Sequence, residues 1–174
     1  MDLNRLTTDS ADVIYTVIEI PQNSDPIKYE YDKEIGGLVV DRFMPGAMFY
    51  PCNYGFMPNS LSGDGDPLDV LVYTNYPIVA GAAIKVKPIG VLVTEDESGD
   101  DEKILAVPTD KCDASFKDVN SIDDLPKVLL DRISNFFERY KDLEPKKWVK
   151  VQGWKGRDDA LKIVDEAIER FKSS

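Results

Sequence analysis

The chain predicts an α+β fold, a small β-barrel with helices packed on its outside. Short runs rich in Val, Ile, Tyr and Thr follow one another as far as Pro108, each bounded by Gly, Pro, Asn or Asp. Helical spacing is confined to the C-terminal third. Nothing in between resembles a repeat, a low-complexity tract or a long linker, so residues 1–174 read as a single domain. Strands first and helices afterwards favour α+β over an alternating α/β layout.

Val13–Ile20 is the first strand, since it is dense in β-branched residues. Strict alternation places Glu19 with Val13, Tyr15 and Val17, a carboxylate on an otherwise apolar face. Lys28-Tyr29-Glu30-Tyr31 alternates charged with aromatic, which sets Lys28 and Glu30 on one face. Gly36-Gly37 turns the chain into a strand at Leu38–Phe43, and alternation there points Arg42 with Leu38 and Val40. Residues 44–63 hold Pro, Gly, Asn and Tyr and read as a shaped loop. Val70–Tyr73, Ala83–Val93 and Ile104–Pro108 are further strands, and Trp148–Val151 is a short last one. Leu125, Val128, Leu129, Ile133, Phe136, Phe137 and Tyr140 follow helical spacing behind Pro126. Ala160, Leu161, Ile163, Val164, Ala167, Ile168 and Phe171 mark a second helix.

Composition excludes several functions. The chain carries a net charge of −11, which argues against a nucleic-acid or anionic-membrane binder; it fits a protein that gathers divalent cations, and taken alone it fits a plain soluble surface better. It has no histidine, so Ser-His-Asp and Cys-His triads and His-liganded zinc are ruled out. Cys52 and Cys112 form no metal or redox motif. No signal peptide or membrane span is apparent, and a cytoplasmic protein with reduced thiols is expected.

The chemistry concentrates in Asp64-Gly65-Asp66-Pro67-Leu68-Asp69, which runs into Val70-Leu71-Val72. Like charges 4 Å apart repel by roughly 4 kcal/mol at an effective dielectric of about 20, so converging carboxylates need a cation or a proton. Oxygen-only donors suit hard cations such as Mg²⁺ or Mn²⁺. The plainer alternative is a solvated Asp-Gly turn before a strand. Residues 95–102 hold a second acidic cluster, which is either a solvated hairpin tip or a partner to the first. Lys28, Arg42, Lys103, Lys141, Tyr50, Tyr54 and Tyr140 could hold the oxygens of a phosphate ester or anhydride. An EF-hand loop counted from Asp64 would need Gly and Glu where Asp69 and Asn75 stand. A phosphatase with an aspartyl nucleophile would place Asp64 after a buried strand, and Asn59–Gly63 is not one. A non-catalytic OB-like module that binds divalent cations leaves two acidic clusters unexplained.

The Asp64–Val72 run closely resembles the signature of the family I soluble inorganic pyrophosphatases, bacterial type. Other blocks resemble the same family in the same order: Glu19-Ile20-Pro21, Asp25–Glu30, Asp41-Arg42-Phe43, Phe49–Gly55, Tyr140–Glu144 and Lys147–Val151. The resemblance implies an OB-like five-stranded β-barrel with flanking C-terminal helices, a cytoplasmic location and a homohexamer. It implies Mg²⁺-dependent hydrolysis of pyrophosphate, with three to four ions in the substrate complex and no covalent intermediate. Asp66 would be the general base, with Tyr54 beside the reacting groups. Asp64, Asp69, Asp96, Asp101 and Glu30 would hold metal, and Glu19 would support them. Lys28, Arg42, Tyr54, Lys103, Tyr140 and Lys141 would hold phosphate.

Overall fold

The computed structural model describes residues 1–174. Its strands are β1 (Ile14–Ile20), β2 (Ile27–Asp32), β3 (Gly37–Phe43), β4 (Asn53–Phe56), β5 (Asp69–Val72), β6 (Ala83–Asp96), β7 (Gly99–Pro108) and β8 (Val149–Lys155). Two helices follow the main run of strands, α1 (Lys127–Arg139) before β8 and α2 (Arg157–Ser173) after it. The order β1-β4-β5-β7-β6 closes into a five-stranded ring because β6 also pairs with β1. Closure leaves those strands no free edges. β8 adds to the outside of β6, and β2 with β3 forms a separate hairpin.

Period-two alternation divides the ring residues between two apolar clusters. Leu71, Leu105 and Val107 join α1 through Leu129, Ile133, Phe136 and Phe137. Val70, Val72, Ile104 and Ala106 join α2 through Ala160, Val164 and Ala167. The Trp154 indole on β8 donates to the Ser134 hydroxyl at 2.9 Å and pins α1 to the sheet.

Several expectations shift. The 44–63 stretch contains β4, which its Pro and Gly content hides. β4 is anchored by the buried Asn53 side chain. Its Oδ1 accepts from the Gln22 and Ile78 amides at 3.1 and 2.8 Å. Its Nδ2 donates to Val72 O and Thr74 Oγ1 at 3.1 and 2.7 Å. Gly55 lets β4 lie against β1: a Cβ there would stand 1.9 Å from Val17 O.

β6 and β7 run further than expected and consume the acidic segment, so Glu97-Ser98 alone separates Asp96 from Gly99. Arg42 does not point with Leu38 and Val40. The β2–β3 register shifts at Asp41, so Val40 pairs with Tyr29 while Arg42 pairs with Lys28. That bulge turns Arg42 onto the face of Lys28 and Glu30. Phe136 and Phe137 are buried within this chain, so the apolar stripe of α1 serves the chain's own core.

Candidate active site

Parallel pairing of β5 with β7 sets Asp69 level with Lys103 and brings the two acidic clusters together. They line a cleft of about 520 Å³. All but one of the residues that the sequence singled out for a role lie in its wall: Glu19, Lys28, Glu30, Arg42, Tyr54, Asp64, Asp66, Asp69, Asp96, Asp101, Lys103, Tyr140 and Lys141. The exception is Tyr50, buried behind the cleft with its ring tilted against those of Tyr54 and Phe136.

The floor is built from the ring. Asp69 Oδ2 accepts from the Tyr54 hydroxyl at 2.7 Å and from Lys103 Nζ at 2.6 Å. Lys103 also reaches Asp101 at 3.0 Å, and its ammonium lies 5.2 Å from the centre of the Phe137 ring. Burial alone would discharge Lys103, but Asp69 and Asp101 outweigh it and hold its pKa well above the ordinary lysine value. Burial pushes the Tyr54 phenol up, and Asp69 adds to the shift, so Tyr54 keeps its proton and donates.

The Asp64–Pro67 loop turns at Gly65, whose φ is +95°. Asp64 Oδ1 accepts the Asp66 amide at 3.0 Å. Burial raises the Asp66 pKa, and the charges of Asp64 and Asp69 raise it further. On β1 the buried Glu19 accepts the Tyr31 amide at 2.8 Å, next to a register irregularity between Ile18 and Ile20. Burial pushes its carboxyl up to about 8, although that amide opposes the shift.

One wall is the β2–β3 hairpin. Lys28 pairs with Glu30 and, at 3.5 Å, with Asp41. Arg42 bonds Asp41 at 2.5 Å and Glu144 at 3.0 Å. The other wall is the β6–β7 hairpin with the exit of α1. Asp96 accepts from Lys141 at 2.8 Å. Burial would raise the Asp96 pKa, but the Lys141 contact prevails and lowers it. Glu95 turns towards Gln152, and Glu97 accepts the Trp148 amide while its other oxygen lies 3.6 Å from Lys141 Nζ; of these three only Asp96 lines the cleft. Tyr140 stacks on Phe136, with ring centres 5.2 Å apart.

Sequence reasoning missed Lys33, Asp100, Glu102 and Lys147 in the cleft wall and Glu144 behind it. Asp100 and Glu102 belong to the run already noted. Lys33, Glu144 and Lys147 sit in turns, where no periodicity assigns a face.

Nine carboxylates and six cationic side chains line the cleft. A polyanion would meet net repulsion unless further cations entered. As placed, no three carboxylates stand close enough to enclose one ion. The donor set nevertheless fits hard divalent cations: oxygen-only, convergent and in charge excess. Asp69, Asp101, Asp96 and Glu30 are each held by a lysine, which an entering cation would displace.

A family model described as inorganic pyrophosphatase matches residues 16–172. The inorganic pyrophosphatase of Rickettsia bellii is 57% identical over 161 residues, 92% of this chain and 92% of its own length. That of Escherichia coli is 52% identical over 165 residues, 95% of this chain and 94% of its own. A solved inorganic pyrophosphatase from Coxiella burnetii superposes with a TM-score of 0.92 at 52% identity, over 94% of this chain and 97% of its own.

Proposed function

The chain belongs to the inorganic pyrophosphatase family and hydrolyses pyrophosphate to two phosphates, and we propose that a water attacks phosphorus directly, with Asp66 taking its proton. The observation that carries this reading is the cleft itself, where a carboxylate-rich floor faces Lys28, Arg42, Lys103, Tyr140 and Lys141.

Asp64, Asp69, Asp101, Asp96 and Glu30 would hold divalent cations, with Mg²⁺ the first candidate. Such ions acidify the attacking water and offset phosphoryl charge. Asp66 is the carboxylate left over for the base once the others hold metal, and its burial, with the charges of Asp64 and Asp69, raises its proton affinity. Lys28, Arg42, Lys103, Tyr140 and Lys141 bind the phosphate oxygens and stabilise charge as the bridging P–O bond breaks. Tyr54 holds Asp69 in place. Glu19, whose carboxyl burial pushes up to about 8 in the metal-free cleft, buttresses the hairpin through the Tyr31 amide.

Phosphate release from pyrophosphate, with Mg²⁺ and with excess chelator, tests the metal requirement; full activity in chelator would refute it. A single turnover in ¹⁸O-water tests the attack, and the label should enter phosphate. Label in the carboxylate of Asp64 or Asp66 would instead mean an aspartyl-phosphate route.

We propose further that the chain works in the cytoplasm as a homohexamer. Both cysteines are free thiols, which suits a reducing compartment. Val40, Phe43, Phe49, Tyr76 and Val79 are large apolar side chains left exposed, as subunit interfaces require.

A further inference from the structure

We propose that Glu144 is a positioning residue that orients Arg42 and Lys147 for the substrate, acting as a latch between the two walls of the cleft. The proposal rests on the reading of the cleft as a pyrophosphate site. β2 and β3 share no ladder with the ring, so hydrogen bonding within the sheet does not fix how far their hairpin stands from the opposite wall. Glu144 lies in the turn after α1, 102 residues from Arg42.

Its Oε1 accepts from Arg42 Nη2 at 3.0 Å, and its Oε2 lies 3.0 Å from Arg42 Nε. The same Oε2 is 3.1 Å from Lys147 Nζ. The Glu144 side chain is 9% exposed, whereas Arg42 and Lys147 both reach the cleft. Burial acts to raise the Glu144 pKa, but Arg42 and Lys147 overcome it and keep the carboxylate ionised.

The guanidinium geometry gives the latch its purpose. Arg42 Nη1 bonds Asp41 and Nη2 bonds Glu144. Each terminal nitrogen carries two N–H groups, so one on each stays available to an incoming oxyanion. A guanidinium held at both ends presents that pair in a fixed plane, ready for two oxygens at once. Lys28, Lys103 and Lys141 rest on residues assigned to metal, so metal entry would change their partners. Glu144 belongs to no such set, and its hold on Arg42 survives loading.

The test uses the full chain and methylenediphosphonate, a pyrophosphate analogue that is not hydrolysed, followed by calorimetry in Mg²⁺. Glu144→Gln should weaken analogue binding by about tenfold, the scale of one charged hydrogen bond. It should raise KM for pyrophosphate, change kcat little and leave the Mg²⁺ concentration for half-activation unmoved. In a background with Arg42→Ala and Lys147→Ala, the same change should have almost no effect on the analogue. A merely structural residue would weaken both backgrounds alike, and a metal ligand would shift the Mg²⁺ requirement. Either result, or unaltered binding in the single variant, overturns the proposal. Wild-type protein that binds the analogue but leaves pyrophosphate intact would refute the hydrolytic reading and leave the Glu144 coupling standing.

Discussion

Asp66 and Asp69 are three positions apart and differ in what surrounds them. Asp69 is held by Tyr54 and neutralises the buried Lys103, whereas Asp66 faces the repulsion of Asp64 and Asp69. Asp66→Asn should therefore lower kcat by about 10²–10⁴, the range for a general base, without lowering the melting temperature. Asp69→Asn should lower both, because removing one partner of a buried pair costs several kcal/mol, tempered here by Asp101. Calorimetric melting beside kinetics separates the two, and equal loss of stability would contradict the contrast. Glu19 yields a pH prediction for protein in chelator. Its pKa is about 8 when folded, against an ordinary 4.5, so the native state holds a proton that the unfolded chain releases. That contribution to stability is complete below pH 4.5, declines as pH rises and is lost by about 8. Glu19→Gln keeps an acceptor for the Tyr31 amide and should flatten the decline, giving a higher melting temperature than wild type at pH 8. An unchanged slope would mean that Glu19 ionises normally.

At the scale of elements, the ring depends on the close approach of β4 to β1. Gly55→Ala forces a methyl group into Val17 O and should cost at least about 3 kcal/mol, read as a lost midpoint in urea. A change below 1 kcal/mol, on the scale of ordinary surface substitutions, would mean that the strands part easily. Elements with long periodic patterns were legible in the sequence: β1, β3, α1 and α2 fall within a few residues of expectation. β4 was not, because four residues in a Pro- and Gly-rich stretch carry too little pattern, and what holds them is the Asn53 side chain reaching Val72 and Thr74. The face of Arg42 was misjudged because one extra residue, Asp41, inverts the alternation. That the acidic and basic candidates share one cleft was legible because they recur in a recognisable order. Glu144 was not, since its meaning lies in a partner 102 residues away.

For the whole molecule, assembly and ion loading are the open measurements. Light scattering should give about six times the 19.5 kDa chain mass; a monomer at micromolar concentration would refute the hexamer and leave catalysis untouched. On the proposed reading Mg²⁺ would bind the folded cleft and not the unfolded chain, so at a hundred times its dissociation constant it should add about 2.7 kcal/mol of stability. Sodium chloride at matched ionic strength should not reproduce that gain; if it does, general screening of the −11 charge is the cause. The pairing of Lys28, Lys103 and Lys141 with carboxylates has one more consequence. Without divalent ions the cleft is an internal salt, so free phosphate finds its best donors already engaged. An ion that takes a carboxylate liberates an ammonium for the anion. The two ligands therefore help each other, and thermodynamic reciprocity demands that phosphate tighten Mg²⁺ by the same factor by which Mg²⁺ tightens phosphate. With Mg²⁺ as the proposed ion, a cell short of magnesium would thus hold this protein idle, its ammonium groups still turned to their own carboxylates.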